Sequence, residues 1–262
     1  MAYDKVVDSA ALETGLEKVA NAIRTKGGTS GKLAFPDGMA EAVAAIQAGG
    51  GAEEPYIEYT YTTVGGQQYA QTAKMHGYTV VPAYAFRQQS RLQNVDLPEG
   101  ITSIGTSAFY SCSALALTSL PEGLTSIESY AFQSCSALAL TSLPEGLTSI
   151  GAYAFQNCSA LALTSLPEGI TSIGTSAFYS CSALALTSLP EGITSIGASA
   201  FYRNTGLKEI TFKGTPKTIY QNAFASCTNL QTINVPWAEG AVANAPWGAT
   251  NATINFNYVE AG

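Results

Sequence analysis

The chain has 262 residues, of which 46% are apolar and 12% charged, and a formal net charge of −7. The apolar share is ample for a core, while a charge content far below the roughly 25% of an average globular protein leaves a surface of Ser, Thr, Gly, Asn, Gln and Ala. No Lys or Arg lies between Arg91 and Arg203, so that span cannot neutralise nucleic-acid phosphates or anionic lipid head groups. No run of about 18 apolar residues is present to insert into a membrane.

The start, MAYDKVVDSAALETGLEKV, has no cationic stretch followed by an apolar one, which predicts a chain made without a secretion signal. Leu12, Leu16, Val19, Ala20 and Ile23 fall at helical spacing behind Asp8 or Ser9 as a cap. A second helix is predicted from Pro36-Asp37-Gly38 through Met39, Val43 and Ile46. Residues 1–48 therefore read as a helical hairpin for attachment or oligomerisation, and Gly-rich residues 49–55 as a flexible linker. The loop from Gly27 to Lys32 fails as a phosphate-binding motif, which would need Gly at Lys26 and Ser or Thr at Leu33. Over residues 56–73, an alternating segment from Tyr56, a Gly65-Gly66 turn and Gln68 to Gln71 predict a β-hairpin cap. His76 has no Asp, Glu or Cys near it in sequence and reads as structural or exposed.

From there a period of 23 takes over. Leu97, Leu120, Leu143, Leu166 and Leu189 each precede Pro at that interval, and Phe212 and Val235 continue the series. Ala-Phe pairs keep the same beat from Ala85-Phe86 to Ala223-Phe224, and Cys112, Cys135, Cys158, Cys181 and Cys227 mark the same repeat. Within LPEGITSIGTSAFYSCSALALTS, the unit that starts at Leu97, the apolar positions fit neither a helical nor a strand period. Such a unit buries its apolar side only against its neighbours, with a turn at each Pro-Glu-Gly and columns of Phe and Ile as the core. The solenoid is expected over residues 74–240, with Trp237, Trp247 and Thr253 to Tyr258 covering its end and residues 241–262 as the C-terminal cap.

The pattern L-x-x-[I/V]-x-[L/I/F/V]-P followed by x-x-[I/L]-x-x-I-x-x-x-A-F-x-x-C resembles the BspA-like subclass of leucine-rich repeats. The resemblance implies a β-rich α/β repeat, namely a right-handed leucine-rich-repeat solenoid of 23-residue units with the helical hairpin at its N-terminus. It also implies kinship with surface adhesins and host-binding proteins of bacteria and with related repeats in their phages. Lys208 to Phe212 and Gln231 to Val235 fit the family's strand, whereas the central copies carry Thr118, Thr141, Thr164 and Thr187 where Val95, Ile210 and Ile233 point inward. The segment VANAIRTKGGTSGKLAFPDGMAEAVAAI is similar to N-terminal parts of tail-associated proteins of phages and prophages of gut Firmicutes.

Three columns are candidates for a binding surface, and a fourth, of cysteines, is not. Glu99, Glu122, Glu145, Glu168 and Glu191 repeat at Pro-Glu-Gly; they are either solvated turn carboxylates or, stacked roughly 5 Å apart, a negative stripe for a divalent cation. The cysteines read as reduced, buried space-fillers, since the unit carrying Asn204 would leave a paired or metal-binding set incomplete. Leu117, Leu140, Leu163 and Leu186 face outward in the family's register as an apolar stripe, unless a one-residue slip turns them inward and the threonines outward. Tyr110, Gln133, Gln156 and Tyr179 stand where the near-identical units differ, and suit carbohydrate or protein contacts through ring stacking and amide bonds, or serve as spacers.

General acid–base chemistry needs groups in unlike environments. Residues 97–202 offer only Glu99, Glu122, Glu128, Glu145, Glu168 and Glu191 as carboxylates, and no His, Asp, Lys or Arg. The sequence therefore predicts a non-catalytic binding or adhesion protein with no cofactor and no metal. The first expectation is a phage or prophage tail-associated receptor-binding protein, found on the virion or an extracellular surface. Its partners would be a host cell-surface protein or glycan and, through residues 1–48, other virion proteins, within a homo-oligomer such as a trimer. The alternatives are a bacterial surface adhesin and a structural virion spacer.

Overall fold

The chain divides into two units, Met1–Glu54 and Pro55–Gly262. The computed structural model describes residues 55–259, so the helical hairpin expected over 1–48 lies outside the described residues. Those residues form a right-handed-type β-solenoid of about 8 turns. It opens with β1 (Tyr56–Val64) and β2 (Gln67–His76), paired antiparallel around Gly65 and Gly66, whose φ values of 59° and 80° suit the tight hairpin turn. β2 then pairs in parallel with β4 (Asn94–Asp96).

Two strand columns run along the coils. The first is continuous: β3 (Val80–Val81), β5 (Ser103–Ile104), β6 (Ser126–Ile127), β7 (Ser149–Ile150), β8 (Ser172–Ile173), β10 (Ser195–Ile196) and β12 (Thr218–Ile219) form one parallel sheet of seven strands. In each, Val81 or an Ile turns inward and is fully or almost fully buried. The second comprises β9 (Ser188–Leu189), β11 (Glu209–Phe212), β13 (Thr232–Asn234) and β14 (Thr253–Asn255), again parallel.

Between β4 and β9 the second column loses its ladder, and the leucine register explains the loss. In the coil of β11 the inward residues are Leu207, Ile210 and Phe212, with Lys208 and Glu209 exposed. In the central coils they are Leu115, Leu117 and Leu120, with Thr118 and Ser119 exposed. The outward pair has moved from before the middle apolar residue to after it. Successive side chains on a strand alternate faces, so the one-residue shift breaks the strand, and single backbone bonds remain, as from Ala162 N to Leu140 O at 3.1 Å. The outward apolar stripe therefore does not form: Leu117, Leu140, Leu163 and Leu186 are all core residues, at most 6% exposed.

Among the described residues there is no α-helix, which corrects the expected α/β character of the repeat. The third side of each coil, around the Ala-Phe pair, is a turn with two residues in the left-handed region, such as Ser107 (φ 54°) and Ser111 (φ 58°). Two such residues four apart rule out a helical turn. They face Phe inward, so that Phe86, Phe109, Phe132, Phe155, Phe178, Phe201 and Phe224 stack in a file with ring centroids 5.0–5.5 Å apart and planes within 7°.

The cysteines run beside that file. Each Sγ donates to a phenylalanine carbonyl of the preceding coil, as Cys135 to Phe109 O at 3.0 Å, and Asn204 Nδ2 makes the same bond to Phe178 O at 2.9 Å. All five are free and buried. Asn204 is thus a functional replacement for cysteine, a neutral donor in the same place. Burial pushes the Cys112 thiol up to about 12 and the Cys227 thiol up to about 11 from an ordinary 9.0, and raises Cys135, Cys158 and Cys181 as well.

Leu140→Ala is expected to cost about 2–5 kcal/mol, whereas Thr141→Ala beside it should change stability by no more than about 0.5 kcal/mol. Urea unfolding midpoints measure both, and equal small losses would contradict the inward register. A thiol whose folded pKa is raised contributes stability that is complete below pH 9 and is lost as pH rises through about 11 and 12. Melting temperature is therefore expected to fall over that window, and less steeply in Cys227→Asn, which keeps the carbonyl bond without an ionisable group.

Candidate functional site

Two polar columns of the coils are engaged with backbone. Thr125 Oγ1 donates to Thr102 O at 3.0 Å, and Thr102, Thr148, Thr171 and Thr194 bond in the same way one coil back. Ser113, Ser136, Ser159 and Ser182 repeat the arrangement on a second column. Such ladders hold adjacent coils together.

The turn around the Ala-Phe pair differs. Its first outer column runs Tyr84, Ser107, Tyr130, Tyr153, Ser176, Ser199 and Asn222, all at positive φ. Tyr130 and Tyr153 stack with centroids 4.8 Å apart and planes 4° from parallel. The second column lies just after the Phe: Arg87, Tyr110, Gln133, Gln156, Tyr179, Tyr202 and Ala225. The Arg87 guanidinium lies over the rings of both Tyr84 and Tyr110, at 5.8 and 5.3 Å. Gln133 Nε2 donates to Gln156 Oε1, and Tyr179 stacks on Tyr202 at 4.8 Å. Tyr110, Gln133, Gln156 and Tyr179 are therefore gathered on one turn face, half-buried. Among the described residues, no protein group bonds to the hydroxyls of Tyr110, Tyr130, Tyr153, Tyr179 or Tyr202.

Backbone preference does not explain these tyrosines. A left-handed residue with a bulky side chain costs roughly 1–2 kcal/mol, which Asn or Ser offsets better through local hydrogen bonds. Ser or Asn indeed fills that position in four of the coils, while Tyr130 (φ 61°) and Tyr153 (φ 60°) keep a ring there.

Glu99, Glu122, Glu145, Glu168 and Glu191 are all exposed in their turns. Glu168 pairs with Lys213 at 2.6 Å, reached across two coils because Gly214 occupies the next place in the glutamate column. Among the described residues no three His, Cys, Asp or Glu side chains converge on a point that could hold a metal ion. His76, isolated in sequence, acquires a carboxylate by strand pairing: its Nε2 lies 3.3 Å from Glu58 Oε2, and its ring stacks on Tyr56 at 4.5 Å.

Sequence reasoning stopped the second column at Tyr179 and missed Tyr202 and Arg203. Adding 23 to Tyr179 reaches Tyr202, and adding it to Ser180 reaches Arg203. Both line a cleft of about 660 Å³ together with Ser180, Ser182, Thr205, Ser226 and Thr228.

Among solved structures the chain is similar to a leucine rich repeat protein of T. pallidum at 22% identity, covering 76% of this chain and 96% of that one with a TM-score of 0.49. A leucine-rich repeat protein from Bacteroides ovatus matches at 18% identity, 76% and 75% coverage and a TM-score of 0.41. A leucine rich cell surface protein from Faecalibacterium prausnitzii gives 18%, 77% and 96%, and 0.36. No curated protein matches the chain. The family model for the BspA type leucine rich repeat region matches in 6 copies, over residues 74–185 and 153–239. With that match spanning most of a solenoid whose coils, phenylalanine file and inward leucines all keep one 23-residue beat, the chain belongs to the BspA type leucine-rich-repeat family.

Proposed function

We propose that this chain is a non-catalytic binding protein whose turn face engages a protein or glycan on a host cell surface. One observation carries the reading. In coils that otherwise repeat almost letter for letter, the changes fall on the turn face, and there they place stacked tyrosines with unpaired hydroxyls and a glutamine ladder. Rings and amides of this kind contribute contact area and hydrogen bonds at low ordering cost. The exposed carboxylates stand in one repeated turn, without a base or acid in a contrasting environment, which argues against acid–base chemistry.

The tail-associated role rests on residues 1–48, whose sequence is similar to tail-associated proteins of phages and prophages. In this reading that segment docks on a particle, as part of a homo-oligomer, and the solenoid faces the host. Mass spectrometry of purified particles from the producing strain is expected to find the chain. Its absence from particles, with the chain recovered from the cell envelope, would replace the tail role with that of a bacterial surface adhesin.

The turn face is tested by residues that other coils already carry at the same positions. Tyr130→Ser with Tyr153→Ser copies Ser107, and Gln133→Ala with Gln156→Ala copies Ala225. The full-length quadruple variant is expected to keep its melting temperature within a few degrees and to bind host cells about tenfold or more weakly. Undiminished cell binding by a folded variant would refute the assignment of this face.

A further inference from the structure

The stack of the second column ends abruptly. Tyr179 and Tyr202 lie face to face, but the next two coils carry Ala225 and Gly248 at that position, so the side chain steps from a ring to a methyl group to none. One face of Tyr202 is covered by Tyr179, and Tyr202 also lines the cleft of about 660 Å³. That size falls in the range of about 300–1,000 Å³ typical of small-ligand sites. The rest of the lining is Ser180, Ser182, Thr205, Ser226, Thr228 and Arg203.

Arg203 is the first cation after Arg91, and its position is not one that backbone preference selects. It has a φ of 60°, in a column that carries Ser111, Ser134, Asn157, Ser180 and Ser226 in other coils. Arg87 and Arg91 lie over tyrosine rings, and Lys74 and Lys213 are paired with Asp96 and Glu168. Among the described residues the Arg203 guanidinium has no carboxylate, ring or hydrogen-bond partner. An unpaired planar fork beside a tyrosine and five hydroxyl side chains, in a chain of net charge −7, suits one kind of guest. The guest must have a carboxylate for the fork, a flat C–H face for the ring, and hydroxyls for Ser and Thr.

We propose that the cleft at Tyr202 and Arg203 binds a carboxylated sugar, that is, an acidic residue of a host or surface glycan. The sugar packs against the Tyr202 side chain that lines the cleft, and its carboxylate accepts two N–H bonds from Arg203. Its hydroxyls exchange hydrogen bonds with Ser180, Thr205, Ser226 and Thr228 and donate to Ser182 Oγ, whose own hydrogen goes to Ser159 O. An acidic peptide satisfies the arginine but not the hydroxyl-rich walls. The proposal rests on the reading of this unit as a binding surface and gives it a ligand class.

The test uses the full chain and saturation-transfer NMR with glucuronic acid, N-acetylneuraminic acid, glucose, an Asp-Glu dipeptide and inorganic sulfate as competitor. At least one acidic sugar is expected to receive saturation at its ring protons, with glucose and the dipeptide silent. Arg203→Ser, which copies Ser180 and Ser226, should abolish the effect, and Tyr202→Ala, which copies Ala225, should weaken it about tenfold or more. Arg203→Lys should also weaken it about tenfold, since a point charge loses the bidentate fit. Lys217→Gln should bind as the parent does.

Silence from every acidic sugar, or binding indifferent to Arg203→Ser in a variant of unchanged melting temperature, overturns the proposal. Full displacement by sulfate with no effect of Tyr202→Ala, or binding of the dipeptide in place of the sugars, also overturns it. Host-cell binding that is lost in the Tyr130/Tyr153 variant but kept in Arg203→Ser would remove this site while leaving the turn face as the receptor surface.

Discussion

Parallel coils joined by backbone hydrogen bonds advance by about 4.8 Å per turn, and that step sets what every column of this solenoid can hold. A phenylalanine ring fits it with little adjustment, and the seven buried rings sit 5.0–5.5 Å apart along the axis. Threonine, serine and cysteine fit it because each can donate to the carbonyl one coil back. Like charges fit it poorly. Two carboxylates at the coil rise repel by about 1 kcal/mol even in water, which explains why the glutamates stand exposed in their turns and why Lys213 bridges to Glu168.

The same step separates structural from functional positions. Where a side chain closes a ladder to the neighbouring coil, its residue type is dictated, as in the TSI and CSA segments that recur through the central units. Where the backbone has satisfied itself within the turn, the outward side chain is free to vary, and variation there alters the surface without altering the rise. Tyr110, Tyr130, Gln133, Tyr153, Gln156, Tyr179 and Tyr202 all occupy such places. The left-handed backbone under Tyr130, Tyr153 and Arg203 adds a local cost that packing in the core does not repay, because these side chains are not in the core.

The period of 23 made much of this legible in the letters alone. Columns of Phe, Ile, Leu and Cys emerge by subtraction, and stacking is forced by their inability to be buried one coil at a time. The orientation of Leu117 did not emerge, because Leu115-Ala-Leu-Thr-Ser-Leu120 permits an inward residue at either of two adjacent places; packing chose leucine over threonine and broke a strand to do so. The resemblance implied an α/β repeat where the Ala-Phe side is a turn, since positive φ at Ser107 and Ser111 leaves no mark on the residue types. Nor did the sequence show Glu58 meeting His76, a contact made only when β1 folds back on β2. The cleft is lined largely by serines and threonines, and such residues, common throughout the coils, attract no notice in a scan for chemistry.

Repeating coils create a hazard at their ends, because a ring stacked on one face offers an identical face to the next molecule. Both ends of the phenylalanine file answer it with geometry. Tyr59 of β1 meets Phe86 edge-on, with centroids 6.2 Å apart and planes at 71°. Beyond the other end the fully buried Trp247, one period after Phe224, packs with Phe212 and Trp237. A perpendicular ring covers the exposed face while presenting its own edge outward, so the pattern that propagates the stack is not reproduced. The antiparallel pairing of β1 with β2 does the same for the backbone, since a strand running against the coil direction cannot template another parallel turn. The length of the turn face follows from how many coils the chain encodes.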